Sequence, residues 1–411
     1  MTITEQIKER AYALGFDIVR VTAAEPFAQA ETAIKQRVGA GYFEGMDWFT
    51  AERAEVSCNP QVLLPAARSV ISLGTFYLTD APRDLTQPGD PHGRVSCYAW
   101  GDDYHEVIRA RLDQLAAFIR ELASPGDEKT ILFVDTGRMV DRAVAQRSGL
   151  GWYGKNTNIL TKGWGSWVFL SEVVTSLELE PDQPIGANCG QCEICLHACP
   201  THAFVAPYVL DSRRCISYLT IEHRGSIPLE LRPLIGAHIF GCDICQQVCP
   251  VNHVAETRLR RSGDLQPSNR DGPQTARGKR LEFQPRAAVG SSPALIPLLT
   301  LDEEAFRERF RHSPIKRTKR RGLLRNVCVA LGNIGDPVAV PALTKALGDG
   351  EPLVRGHAAW ALGRIGGEAA RGALAEALAS EGDPAVCEEL RYAQTLIANG
   401  APIEEEAWEH H

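Results

Sequence analysis

The sequence lacks any long apolar run. No stretch of the 411 residues approaches the roughly 20 residues that cross a bilayer, and residues 1–20 contain no apolar signal core. It also lacks low-complexity segments and an excess of basic residues, since 51 Asp and Glu outnumber 44 Lys and Arg. These absences predict a soluble, cytoplasmic protein with no membrane partner, and the net charge of −7 argues against nucleic-acid binding by overall charge. The length suggests two or three domains.

Cysteine, in contrast, is abundant and clustered. Eight of the twelve cysteines lie between residues 189 and 249, as C-x2-C-x2-C-x3-C-P, then one cysteine, then C-x2-C-x3-C-P. Three closely spaced thiolates can bind one iron–sulfur cubane, while the fourth, before proline, binds a second cluster. The second run lacks its own first cysteine, and Cys215 supplies it. The pattern predicts two [4Fe–4S] clusters. Their ligands are Cys189, Cys192, Cys195 and Cys249 for the first, and Cys199, Cys215, Cys242 and Cys245 for the second.

Disulfides and zinc are the alternatives for these cysteines. Disulfides are typical of small secreted chains, and this chain is long and shows no signal core. Zinc sites close with four ligands in separate C-x2-C pairs, whereas these runs interleave and each ends in Cys-Pro. Iron–sulfur binding is therefore the favoured interpretation.

The first 180 residues alternate between helical and strand-like patterns. This alternation predicts an α/β or α+β sandwich. We expect residues 1–180 to form a catalytic domain, 181–255 the cluster module, 256–300 a linker, and 301–411 a basic segment with helical repeats. The predicted helices are residues 2–15 and 104–122, and the predicted strands are residues 17–21, 69–77, 129–134 and 167–175.

An internal repeat marks the C-terminal part. Residues 325–335 are answered by residues 355–366, and a degenerate third copy starts near Asp383. Period and composition predict short HEAT-like helical pairs, which must stack to bury their apolar faces. Cys328 and Cys387 lie on these helices and are expected to serve core packing.

A basic run precedes the first repeat. Residues 307–325 contain nine Lys or Arg and one acid, Glu308, whereas the chain from Gly366 onward contains ten Asp or Glu and two Arg. A local basic patch can bind phosphates even on an acidic protein. A solvated basic surface is the alternative, and charge alone does not separate the two.

Asp135 is the candidate acid. It ends an apolar strand, so partial desolvation is expected to raise its pKa and make it a proton donor near neutral pH. The alternative is a helix N-cap. Asp141 has the same two interpretations, and its neighbours Arg138 and Arg142 favour an ion pair.

Two further segments have features that are typical of cofactor-binding loops. Residues 149–155 carry glycines beside Trp152 and Tyr153, which fits a loop approaching a bulky planar cofactor, but Asn156 after Lys155 breaks the phosphate-loop motif. Cys97 lies in an aromatic, acidic loop of the kind that lines pockets. Asp103-x-His105 resembles a cobalt-ligating histidine motif, but a required glycine is absent, so any cobalamin would bind without that ligand.

These segments together resemble one family, the epoxyqueuosine reductases, over nearly the whole chain. The resemblance rests on four motifs. They are YAxGxDYH at 98–105, Asp135 with GLGWxGKNTN at 149–158, the cysteine runs with CISYLTIE at 215–222 and GCDxCQ at 241–246, and SPIKR at 313–317 leading to Arg325-Asn326 and the repeats. The family usually has proline and then Glu-Arg after its aspartate, where this chain has Arg138 and then Asp141-Arg142, and Arg138 is expected to lower the pKa of Asp135.

The resemblance implies a fold and a reaction. The fold is α+β, with a reductive-dehalogenase-like cobalamin domain, a ferredoxin-like two-cluster module and an all-α HEAT-like domain. The reaction reduces epoxyqueuosine to queuosine at the wobble position of tRNA anticodons. The reaction uses cobalamin and two [4Fe–4S] clusters, with Asp135 as the proton donor. The electrons come from an external low-potential donor, and the enzyme is expected to be a monomer. The cobalamin contacts would be Cys58, Cys97, Asp135, Asn158, Ile159, Leu170, Ser217, Cys242 and Asp243, and the tRNA contacts Lys316, Arg317, Lys319, Arg320 and Arg321.

Two other functions stay open on the sequence alone. A reductive dehalogenase also combines cobalamin with two clusters, but it would predict an export signal and no repeats. A non-catalytic electron-transfer protein would use the repeats as a docking scaffold. An absorption spectrum separates them, because clusters without a corrin band would support the last interpretation.

Overall fold

The computed structural model describes residues 1–122, 129–135, 137–262 and 281–400. Its first region contains helices and strands in alternation. They are α1 (Ile3–Ala13), β1 (Ile18–Ala23), α2 (Ala28–Gly39), α3 (Ala51–Ser57), α4 (Pro60–Leu63), β2 (Ser69–Phe76), β3 (Arg94–Val95), α5 (Tyr104–Leu122), β4 (Thr130–Val134), α6 (Asp141–Arg147), β5 (Trp152–Tyr153), β6 (Ile159–Leu160) and β7 (Val168–Thr175).

A four-stranded antiparallel sheet in the order β1-β2-β7-β4 forms the centre of this region. Every residue of β2 is buried, because the strand lies between two others and both faces of the sheet are covered. On one face, Leu73 and Val173 share a core with residues of α1 and α5; on the other, Val70 and Phe133 pack with α6. The predicted helices and strands are confirmed to within two residues at each end.

The cluster region is tied to the first region by a sheet. Strand β10 (His238–Phe240) pairs in parallel with β3, and the backbone N–H groups of Arg94 and Ser96 donate to the carbonyls of Ala237 and Phe240. The cluster region is therefore packed onto the first region. Its elements are α7 (Ile194–His197), β8 (Phe204–Ala206), β9 (Val209–Leu210), α8 (Ile216–Ile221), α9 (Arg232–Ile235), β10 (His238–Phe240), α10 (Ile244–Gln247) and α11 (Pro250–Ser262).

The predicted linker at 256–300 is wrong for the residues that the structure describes. Residues 256–262 continue helix α11. Phe283, Val289 and Leu295 are buried in the main core, and Leu295 donates its N–H to Pro91. These few buried apolar residues were not recognisable in the sequence, because the segment is otherwise rich in Arg, Gly and Pro. Residues 263–280 lie outside the described residues.

The C-terminal region is helical, as predicted. Its elements are α12 (Leu295–Leu298), α13 (Glu303–Arg309), α14 (Lys319–Ile334), α15 (Val340–Ala346), α16 (Pro352–Ile365), α17 (Glu368–Ser380) and α18 (Pro384–Ala398). The repeated glycines allow the long helices to cross closely, because a Cβ on Gly332 would lie 2.9 Å from the Cα of Ala361, and one on Gly363 would lie 2.7 Å from the Cα of Ala393. No helix among the described residues is long and apolar enough to cross a membrane.

Two polar residues of α14 lock the repeats onto the cluster region. Arg325 and Asn326 are almost fully buried. The Arg325 guanidinium donates to the carbonyl of Leu219 at 2.6 Å, and the Asn326 amide donates to those of Thr220 and Ile239, both at 2.8 Å. Because a buried donor without a partner is costly, these contacts fix the position of the repeats.

Candidate active site and cluster sites

The first group of cysteines lies on α7, in the loop before it, and in the turn between α10 and α11. Burial and then the charges of Cys249, Cys189 and Cys192 raise the pKa of Cys195 to about 11. The pKa of Cys249 is raised by burial and by Cys189 and Cys192. The four thiols predicted to bind the first cluster are therefore neighbours.

The second group lies beside α8 and α10. Burial, followed by the charges of Cys215 and Cys199, raises the pKa of Cys245. Burial and the charges of Cys245 and Cys215 do the same for Cys242. Cys195 of the first group also acts on Cys245, so the two groups are close to each other.

The donor set fits iron–sulfur clusters. The thiols are free of disulfides. A [4Fe–4S] cubane holds its four thiolates further apart than a single metal ion does. Its iron atoms would also offset the repulsion between the negatively charged sulfur atoms. N–H groups already point at sulfur: Ala203 donates to Cys199 Sγ at 3.4 Å, and the Asn158 side chain approaches Cys245 Sγ at 3.9 Å.

Asp135 lies at the C-terminal end of β4 in an unusual conformation. Its φ is 52°, a region that residues with a Cβ adopt at a cost, typically at functional sites. The side chain is 59% exposed, and its Oδ2 accepts a hydrogen bond of 2.5 Å from the Tyr104 hydroxyl. Helix α6 begins at Asp141, so Asp135 is not its N-cap.

The expectation of a raised pKa for Asp135 is wrong. Desolvation acts in that direction, but hydrogen bonding to His105 and Tyr104, followed by the charges of His105 and Arg142, leaves the pKa lower than usual. Arg138 was expected to lower the pKa of Asp135, but the lowering comes from His105, Tyr104 and Arg142 instead. At neutral pH the carboxyl is ionised.

His105 connects Asp135 to the basic run. Its Nε2 lies 3.7 Å from Asp135 Oδ2, and its Nδ1 donates to Asp103 Oδ1 at 2.8 Å. Asp103 is buried and also forms an ion pair of 2.7 Å with Lys316 Nζ. Burial lowers the pKa of His105, but the two carboxylates outweigh it and raise the value to about 9.

A second carboxyl pair lies behind Asp135. Glu172, in the centre of β7, is fully buried, and neither of its carboxyl oxygens has a hydrogen-bond partner among the described residues. Burial and the facing charge of Asp141 raise its pKa, and burial raises the pKa of Asp141 to about 7. Asp141 therefore faces another carboxyl group rather than forming the predicted ion pair as its main contact.

A row of contacting side chains connects Asp135 to the second cluster group. Tyr98 packs edge-on against Tyr104 at 5.9 Å between ring centroids and also lies beside Gly241. The next residue, Cys242, precedes Asp243, whose carboxylate accepts from Ser96 Oγ at 2.6 Å and from the Cys97 N–H at 2.8 Å. Four of the predicted cobalamin contacts are partly exposed, namely Asn158, Leu170, Ser217 and Cys242.

The remaining predicted cobalamin contacts are buried. They include Ile159, Cys97 and Asp243, of which Asp243 accepts the N–H of Cys97. Cys58 is not brought together with them, because it packs with Phe133 and Met139 in the core on the α6 side of the sheet.

Gly149 and Gly151 lie at close contacts between backbone segments. A Cβ on Gly149 would lie 2.0 Å from the carbonyl oxygen of Gln183, and one on Gly151 would lie 2.4 Å from that of Leu160. The glycines are needed because two backbone segments pack closely here.

The basic run is only partly available for phosphates. Lys316 pairs with Asp103, Arg317 with Glu222, and Arg320 with Asp349. Within the described part of the chain, Lys319 and Arg321 have no ion-pair partner, and Lys319 is exposed. Three of the five predicted contacts thus also hold the fold together.

Sequence reasoning missed the importance of two groups. His105 was considered only as a metal ligand, although its position beside Asp103 and the candidate acid was a signal for proton chemistry. Glu172 is the sole charged residue in the apolar run 167–175. An isolated acid in a buried strand is a recognisable signal, because burial of an unpaired carboxylate is costly.

Two groups of four thiols can hold iron–sulfur clusters, which carry single electrons, and a solvent-exposed carboxyl group lies beside them. This combination is that of an iron–sulfur oxidoreductase, which is the class of protein defined by the fold and the site. Residues 58–136 match the family described as epoxyqueuosine reductase QueG, residues 188–252 a 4Fe–4S double cluster binding domain, and residues 317–393 HEAT repeats. The epoxyqueuosine reductase of Pseudomonas aeruginosa is 40% identical over 370 residues, which cover 89% of this chain and 95% of that protein. The chain belongs to the epoxyqueuosine reductase family.

Solved structures agree over the whole length. An epoxyqueuosine reductase crystallised with an epoxyqueuosine-modified tRNA-Tyr stem loop matches with a TM-score of 0.84 at 34% identity, covering 96% of this chain and 98% of that one. The Bacillus subtilis epoxyqueuosine reductase, with its aspartate catalytic loop swung out of the active site, matches with a TM-score of 0.82 at 34% identity and the same coverage.

Proposed function

We propose that this protein reduces the epoxide of epoxyqueuosine in tRNA to the alkene of queuosine. The observation that carries the proposal is the row of contacting side chains, here named the reaction surface, that runs from the ionisable Asp135 through Tyr104 and Tyr98 to Cys242 of the second cluster group. A deoxygenation needs electrons and protons at one place, and this surface offers both.

The electron supply is proposed to be two [4Fe–4S] clusters. Each group of four cysteines contains one residue from the other cysteine run, Cys249 in the first and Cys199 in the second. This exchange holds the clusters at a fixed separation. The second lies next to the reaction surface, because the side chain of Asn158 approaches Cys245 Sγ.

Cobalamin is proposed to bind between the second cluster and Asp135. The partly exposed Asn158, Leu170, Ser217 and Cys242 would hold it. When bound, it supplies a cobalt centre that reaches very low potential and acts as a strong nucleophile. The aromatic floor, in which Tyr104 stacks on Phe169 at 4.2 Å, excludes water below the acid.

Asp135 is proposed to deliver the proton to the departing oxygen. It is more exposed than its partners, and its left-handed backbone turns the carboxyl out of the sheet. The Bacillus subtilis relative, whose aspartate catalytic loop can leave the active site, supports a mobile acid at this place. Tyr104 donates to the same oxygen and limits the orientation of the carboxyl.

The substrate is proposed to be the anticodon loop of tRNA, as in the relative with a bound stem loop. A base in a loop can be splayed out toward a buried reaction centre, while its phosphates stay at the surface. Lys319 and Arg321 are the phosphate contacts that the ion pairs leave available, and Lys316, Arg317 and Arg320 are in the same segment.

The test is a nucleoside assay with the holoenzyme. The anaerobically purified protein is loaded with cobalamin, chemically reduced, and incubated with tRNA from cells that cannot complete queuosine synthesis. Mass spectrometry of digested tRNA is expected to show loss of epoxyqueuosine and an equal gain of queuosine. Persistence of epoxyqueuosine with both clusters and cobalamin reduced would refute the proposal.

A further inference from the structure

The proton that Asp135 delivers must come from another group. The lowered pKa of Asp135 means that its carboxyl is ionised at neutral pH. An ionised carboxylate cannot donate a proton to a departing oxygen. The need for a proton source rests on the proposed function, because a proton donor at Asp135 is required by a reaction that releases the epoxide oxygen.

Tyr104 and His105 both lie against the carboxyl of Asp135. The Tyr104 hydroxyl is unsuited as a source, because burial and the charge of Asp135 raise its pKa well above the usual value. His105 carries a proton at neutral pH, since its pKa is about 9. Its side chain is 28% exposed overall, whereas Nε2 itself is covered in this conformation.

The orientation of the imidazole is fixed by three contacts. Asp103 Oδ1 accepts from Nδ1 at 2.8 Å and from the backbone N–H of His105 at 3.2 Å. The Tyr104 ring stacks on the imidazole with 4.0 Å between centroids. Nε2 is thereby directed toward Asp135 Oδ2 at 3.7 Å, and it has no hydrogen-bond partner among the described residues. A donor held at this distance can close to a hydrogen bond when substrate is bound, because catalytic hydrogen bonds are often long in the free enzyme.

The charges around the imidazole come from several elements. Asp103, which precedes α5, and Asp135, which follows β4, face it directly. Behind them, Lys316 pairs with Asp103 at 2.7 Å and with Glu106 at 3.5 Å, and Arg142 acts on Asp135. Arg317 acts on Asp135 and Tyr104, and the pair Asp141 and Glu172 is charge-coupled to Asp135.

We propose that His105 is a positioning residue that holds the proton for the reduction, is oriented by Asp103, and passes the proton through Asp135. The Nε2–H bond breaks as an O–H bond forms on Asp135, and that O–H bond breaks as the departing oxygen takes the proton. The neutral imidazole then takes a proton from water. No electron moves in this step, and one solvent proton enters for each proton delivered.

The experiment is the pH dependence of kcat for epoxide reduction in tRNA, measured with the reduced holoenzyme. The wild-type rate is expected to be level across neutral pH and to fall tenfold per pH unit above about 9, where His105 loses its proton. The variant His105→Gln keeps a polar side chain but cannot release a proton. Its kcat at pH 7 should fall by about 10²-fold or more and should already decline with pH across the neutral range.

Binding and cofactor content separate this role from a structural one. The KM for tRNA, the iron–sulfur absorbance and the corrin band of His105→Gln should equal those of the wild type. A His105→Gln enzyme with the wild-type plateau and alkaline limb would overturn the inference alone. A wild-type enzyme that reduces no epoxyqueuosine would overturn the proposed function as well.

Asp103→Asn provides a second, independent measurement. Removing the carboxylate that raises the pKa of His105 should move the alkaline limb to lower pH, with the level rate retained below it. Asp113→Asn is the matched control, because Asp113 is exposed on α5 and pairs with Arg109. An alkaline limb that stays near pH 9 in Asp103→Asn would also overturn the inference.

Discussion

The cluster region and the acid region assemble their functional residues in different ways. All eight cluster cysteines lie between residues 189 and 249, and most are separated by two or three residues. The acid region combines Asp103 and His105, Asp135, and Lys316, which come from three distant parts of the chain. Electron transfer chemistry is specified here by local spacing, whereas proton chemistry is specified by tertiary neighbours.

The difference follows from what each chemistry requires. A thiolate binds iron because of its own chemical nature, so residue type and spacing carry the information. A carboxyl group donates or keeps a proton according to its surroundings, and those surroundings are set by folding. Asp135 illustrates this, because its strand-end position predicted a raised pKa and its neighbours lower it.

The largest effect is expected from a change that removes electron supply in the cluster region and leaves the acid region intact. Cys245→Ala should remove the second cluster and abolish epoxide reduction, because electrons no longer reach the reaction surface, while tRNA binding stays at the wild-type level. Iron content and electron paramagnetic resonance of the reduced protein would measure the loss. Cys387→Ala on α18 is the control and should retain both clusters. Full activity of Cys245→Ala would show that this cysteine is not a ligand.

An intermediate effect is expected at the basic run, which contacts the acid region. Neutralising Lys319 and Arg321 together, as Lys319→Gln and Arg321→Gln, should weaken tRNA binding several-fold without changing the pH profile. The salt dependence of log Kd should become shallower by about 1.4, at about 0.7 per phosphate contact of single-stranded RNA. Lys345→Gln, an exposed lysine of α15, is the control. An unchanged slope would make the run a solvated surface.

The smallest expected effect concerns the carboxyl pair behind the acid. The unfolded chain ionises Asp141 near its usual pKa of 3.8, whereas the folded pKa is about 7. The stability that the protonated pair contributes is therefore present at low pH and is lost as pH rises toward 7. Glu172→Gln cannot ionise, so its thermal unfolding temperature should fall less between pH 6 and pH 8 and should exceed that of the wild type at pH 8 by a few degrees. Identical pH dependence in both proteins would contradict the pairing.

The sequence predicted elements and local motifs well and their tertiary surroundings poorly. The strand 69–77 and the helix 104–122 were recognisable because apolar spacing follows from local geometry. The segment 256–300 is predicted to be a linker because the few buried anchors of its described part, such as Phe283 and Leu295, are spread through a polar composition. The ion pairs that engage Lys316, Arg317 and Arg320 were not predictable, because their acidic partners are distant in sequence.

The most direct test of the account compares wild type and Asp135→Asn in the same reduced samples. Electron paramagnetic resonance measures the reduced clusters, and mass spectrometry then measures epoxyqueuosine conversion in a single turnover. The account predicts identical cluster signals and corrin content, with conversion at least about 10²-fold slower in Asp135→Asn because the acid cannot deliver its proton. Conversion at the wild-type rate in Asp135→Asn would contradict the separation of electron supply from proton supply and would remove Asp135 from the reaction.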